Sequence, residues 1–82
     1  MIVLDGKRMT GRAQTHAELK EKLALPDYYG GNLDALNDCL CERRERELIV
    51  IQNAGEFFEA CDGYALKLLQ LFSDNGLQVL LD

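Results

Sequence analysis

Asp34 and Asp38 stand four residues apart in L-D-A-L-N-D-C-L, a spacing that stacks two carboxylates on one face of a helix. Such a pair can share acid–base work on a bond, hold a divalent cation, or meet a cationic pocket on another molecule. The residues just before them bear on the choice. Tyr28 and Tyr29 are adjacent, so at least one can point outward, and exposed tyrosine is an anchor residue of protein interfaces. Gly30 and Gly31 permit positive φ and the close approach of another backbone, although a tight turn between helices asks for the same glycines. Asn32 is by type a helix N-cap. Taken singly, each residue has an ordinary structural explanation. Their order is what carries information.

The elements that must position these residues follow from the hydrophobic pattern. Projected at about 100° per residue, Leu33 to Cys41 separates two faces. Leu33, Leu36 and Leu40, flanked by Ala35 and Cys39, belong to the core side. Asp34, Asn37, Asp38 and Cys41 gather on the other. The stacked aspartates cost an isolated helix roughly 0.2–0.5 kcal/mol. Surface drift explains so small a cost, and so does a cationic pocket that awaits both carboxylates.

Around this helix the chain alternates strands with helix pairs. Met1 to Leu4 is a short apolar run closed by Asp5-Gly6, and Leu48 to Ile51 and Leu77 to Leu81 are two more strands. Lys7 to Gln14 is polar and reads as a loop. Thr15 with Glu18 forms a capping-box pattern that opens a helix, with Glu18 and Lys22 as an i, i+4 pair and Pro26 as the stop. His16, near the Leu19/Leu23 face, reads as a packing residue. Glu42 to Glu47 is wholly charged and reads as an exposed connection. Ala54 to Ala60 and Tyr64 to Asn75 are two further helices, the second with Ala65, Leu68, Leu69 and Phe72 on its apolar face and Gly76 past its end. Helical connections between apolar strands imply parallel pairing. The expected fold is α/β: a three-stranded parallel sheet packed with about four helices in two layers.

Eighty-two residues form one domain, 1–82, with room for a single modest core. A net charge of −5 disfavours a nucleic-acid backbone as partner and favours a basic protein surface. Cys39, Cys41 and Cys61 lack metal-ligand spacing and His16 is the only histidine, so no metal or cofactor is expected, and reduced thiols point to the cytoplasm. No segment approaches membrane-spanning length.

The stretch Leu25 to Leu40, L-P-D-Y-Y-G-G-N-L-D-A-L-N-D-C-L, closely resembles the central motif of the barstar-like family of intracellular bacterial ribonuclease inhibitors. The match is densest from Leu23 to Leu40. The resemblance implies a parallel sheet in sequential order 1-2-3 and a non-enzymatic, monomeric immunity protein whose partner is a basic, extracellular-type ribonuclease or related nuclease toxin. It further implies that Tyr28, Gly30, Asn32, Asp34 and Asp38 lie at the interface, with Asp38 in the place of a substrate phosphate. Asn37, Cys41 and Arg43 complete the candidate set. Asn37 stands where the family usually carries tryptophan, and Arg43 where a second aromatic is found. Two other readings compete: an enzyme that uses Asp34 and Asp38 as paired carboxylates, and an interaction or regulatory module that keeps the fold without inhibition.

Overall fold

The three apolar runs become three strands. In the computed structural model, which describes residues 1–43 and 47–82, β1 is Ile2–Asp5, β2 is Leu48–Gln52 and β3 is Gln78–Leu81. They form one parallel sheet in the order β1-β2-β3, with Val3 beside Val50 and Val50 beside Leu80. The expected architecture is the one observed. β2 is central, and its Ile49, Val50 and Ile51 are all buried, as an uninterrupted β-branched run requires.

Four helices accompany the sheet: α1 Arg12–Lys22, α2 Leu33–Glu42, α3 Ala54–Cys61 and α4 Gly63–Asp74. Ile2, Leu4, Ile49 and Ile51 form one core with Leu19, Leu36, Leu40, Phe57, Leu68 and Phe72. These are the inward positions of alternating strands and the apolar faces of amphipathic helices. Leu36 and Leu40 anchor α2 to the core and leave Asp34 and Asp38 exposed on its other side.

The start of α1 departs from expectation. The helix begins at Arg12 with Gly11 as its N-cap, three residues before Thr15, and a 3-10 turn at Gly6–Arg8 precedes it. Thr15 is inside the helix, where its hydroxyl donates to the Gly11 carbonyl at 2.7 Å. Glu18 does not close a capping box. Glu18 is only 3% exposed, and its carboxylate accepts the Asp5 backbone N–H at 2.8 Å, which ties α1 to the end of β1. Among the described residues its cationic neighbour is Arg8, at 3.9 Å, rather than Lys22. Met9, in the segment read as a polar loop, is fully buried.

The charged run Glu42 to Glu47 also differs at its ends. Arg43 donates to the Leu23 carbonyl at 2.8 Å and pairs with Glu47 at 2.5 Å, and both side chains are mostly covered. A guanidinium with a carbonyl and a carboxylate on hand can be covered where an unpaired one cannot. The middle of that run lies outside the described residues.

Candidate functional site

The local sequence places α2 firmly. Asn32 is extended, with φ −138° and ψ 172°, and its side-chain oxygen accepts the Ala35 N–H at 2.8 Å. An N-cap of this kind contributes about 1 kcal/mol. Asp34 falls in the first turn, where the helix dipole favours a negative charge. Asp34 and Asp38 are both exposed, and among the described residues neither has a cation within ion-pair distance.

The loop before α2 is built by two backbone constraints. α1 ends through Ala24 at φ 52°, with the Leu25 N–H bonded to the Lys20 carbonyl at 2.9 Å. A left-handed alanine costs about 1–2 kcal/mol, which the surrounding contacts must offset. The Tyr29 N–H then bonds the Pro26 carbonyl at 3.0 Å, a turn that throws Tyr28 outward and Tyr29 inward. Tyr28 is 83% exposed, whereas Tyr29 packs against the core. Gly31 sits at φ 69°, a conformation that calls for glycine; the Gly30 backbone shows no such value.

Around this loop the surface folds into adjoining hollows, and they separate the two aspartates. Asp38 lines one with Tyr28, Tyr29, Gly30, Ala35 and Glu42. Asp34 lines another, of about 440 Å³, with Arg12, Gly31, Asn32, Tyr64 and Lys67. The stacked carboxylates thus border different parts of the surface, Asp34 beside Arg12 and Lys67 and Asp38 beside Tyr28 and Glu42. The residues of α1 and α4 that border Asp34 were invisible to a reading of α2 alone.

His16 is the feature that sequence reasoning undervalued. It is buried, and its two ring nitrogens each lie 2.5 Å from a tyrosine hydroxyl, Nδ1 from Tyr29 and Nε2 from Tyr64. A neutral imidazole has one N–H and one bare nitrogen, so one hydroxyl accepts from it and the other donates to it. The ring thus joins the loop to α4 across α1. Burial pushes both tyrosine hydroxyls up, which keeps them protonated, and holds the His16 imidazole below its ordinary value of 6.5. The consequence for stability has a definite sign. On acidification the unfolded chain takes up the His16 proton before the folded one does, so this contribution is complete above about pH 6.5 and is lost as pH falls below it. Urea midpoints measured from about pH 7.5 down to 5 should decline across that window, and the decline should flatten in His16→Gln.

The other candidates occupy the far end of α2. The Asn37 side-chain oxygen accepts a bond from Asn75 Nδ2 at 3.0 Å, and the exposed Cys41 thiol donates to Asn75 Oδ1 at 3.3 Å. Asn75 also bonds the Leu71 carbonyl, so this cluster staples α2 to the end of α4. Arg43 is engaged with Leu23 and Glu47 as described. The structure thus brings Tyr28, Gly30 and Asp38 together and sets Asn32 and Asp34 beside them. Asn37, Cys41 and Arg43 have intramolecular partners.

Cys39, Cys41 and Cys61 are free thiols, and burial raises the first. Among the described residues no three metal-ligating side chains converge, and no helix is long and apolar enough to cross a membrane. What the surface offers is an acidic, tyrosine-bearing ledge open to another macromolecule. The family described as Barstar (barnase inhibitor) matches residues 1–79. A Bacillus subtilis (strain 168) protein named "Putative ribonuclease inhibitor YrdF" is 38% identical over 74 residues, which cover 89% of this chain and 81% of that protein.

Proposed function

This chain belongs to the barstar family, and we propose that it inhibits a ribonuclease of the barnase type by seating Asp38 among the cations of the enzyme's active site. The observation that carries this reading is the exposed Asp38 carboxylate, held on a capped helix beside Tyr28 and Gly30 with no cation of its own among the described residues. A ribonuclease gathers cationic side chains to hold phosphate, and a preorganised carboxylate can make the same charge-assisted bonds. Tyr28 supplies an aromatic anchor at little conformational cost, and the net charge of −5 steers the encounter with a basic enzyme.

The role that follows is an intracellular immunity protein that protects the cell producing the nuclease. The paired-carboxylate enzyme is disfavoured, since Asp34 and Asp38 are exposed on the outer face of α2 and line open hollows rather than an enclosed pocket that would position a substrate. Asn37 in place of tryptophan removes aromatic area from the contact. Affinity for barnase should therefore rest more on charge and depend more steeply on salt. The test is a steady-state assay of RNA cleavage by barnase with increasing amounts of the protein. Stoichiometric inhibition at micromolar or lower concentration, weakened by salt, is expected. Full barnase activity in excess protein would sink the reading and leave an interaction module on this fold.

A further inference from the structure

We infer that the hollow walled by Arg12, Asp34, Tyr64 and Lys67 receives an acidic side chain of the ribonuclease, so that recognition extends beyond the loop and α2 onto the first turns of α1 and α4. The inference rests on the inhibitor reading and adds a demand on the partner: a carboxylate beside its catalytic cations.

Continuity is the first support. Gly31, Asn32 and Asp34 line this hollow and also belong to the loop and helix that present Asp38, so an enzyme covering Asp38 and Tyr28 reaches its rim. Charge is the second. Arg8 has Glu18 and Glu21 near it, and Arg43 has Glu47. Arg12 and Lys67, like Lys7, Lys20 and Lys22, have no carboxylate within 4 Å among the described residues, but these two line one hollow together, with Asp34 at its edge. In a chain of net charge −5 that meets a basic enzyme, two cations on the contact surface oppose the long-range attraction. A carboxylate opposite them reverses that local effect.

Preorganisation is the third. The Arg12 guanidinium lies over the Tyr64 ring, 4.6 Å from its centroid, and the Tyr64 hydroxyl is in turn fixed by His16. A guanidinium stacked on an immobilised ring loses less freedom when it binds, and its planar fork suits a carboxylate. Asp34, on the side nearer the loop, then faces a cation of the enzyme. The hollow reads an alternation of charge rather than a uniformly basic surface, and it turns away enzymes that place a lysine or arginine there.

The experiment measures barnase association and dissociation rates for the wild type, Arg12→Glu/Lys67→Glu, Arg12→Ala/Lys67→Ala and Asp38→Ala, each first shown to be folded by circular dichroism. Both side chains are exposed, and the alanine pair guards against any distortion that charge reversal brings. The charge-reversed pair should bind about tenfold or more weakly, largely through faster dissociation, and the alanine pair should fall between it and the wild type. If only the overall field matters, reversal makes the inhibitor more acidic, association quickens and binding tightens. Tighter or unchanged binding of both double variants, with Asp38→Ala still impaired, overturns the inference and leaves the inhibitor reading standing. Absence of barnase binding by the wild type overturns both.

Discussion

Replacing Asp38 with alanine should weaken the complex with barnase by on the order of 2–5 kcal/mol, the range for truncating one side of a buried charge pair at an interface. The loss is large because the enzyme's cations remain desolvated under the bound inhibitor with nothing to satisfy them. It should appear chiefly as faster dissociation, with a flatter dependence on salt. The folded state should not suffer. Asp38 is exposed, has no ion-pair partner among the described residues, and stands one turn from the like charge of Asp34. Its removal is therefore neutral or stabilises α2 by a few tenths of a kcal/mol. Calorimetry and a urea melt on the same variant separate the two quantities. Wild-type affinity in Asp38→Ala would exclude the phosphate-mimic mechanism.

Leu36→Ala, two positions away on the same helix, should do the reverse. Leu36 is fully buried beneath α2 and belongs to the single core. Truncating a buried leucine costs about 2–5 kcal/mol, through lost transfer energy and the cavity left behind. For a domain of this size the melting temperature should fall by roughly ten degrees or more. The fraction that stays folded still presents Asp38, so affinity corrected for that fraction should change little. A urea midpoint equal to that of the wild type would mean that α2 is held by something other than its leucine face.

The contrast between these two residues was legible in the sequence, because a helix with its own cap and a three-leucine stripe declares which side is inside. The strands were legible for a similar reason: short β-branched runs separated by helical periods leave little choice but a parallel sheet. The start of α1 was not. Gly11 has no side chain to announce a cap, while Thr15 and Glu18 imitate a capping box and spend their polar atoms otherwise. Glu18 answers to a strand 13 positions earlier, and no local rule registers that pairing. The site shows the same limit. Asp38, Tyr28 and Gly30 are neighbours in sequence and in space. Arg12, Tyr64 and Lys67 come together around Asp34 only because α1 and α4 pack there, with His16 buried behind Tyr64.

The sheet has no hairpin. Ile2 pairs with Ile49 and Leu48 with Gln78, so each ladder joins segments tens of residues apart. Closing such long loops costs chain entropy before any strand bond forms, and non-local pairing of this kind slows folding. α2, with its cap and local hydrogen bonds, can form on a far shorter timescale. Substitutions in β1 and β3 that weaken the ladder should therefore alter how fast the native sheet assembles, whereas exposed positions of α2 whose replacement leaves stability unchanged should leave the folding rate unchanged too. The outward face of α2, which carries the exposed Asp34 and Asp38, is in that sense open to variation at little cost to how quickly a new chain folds.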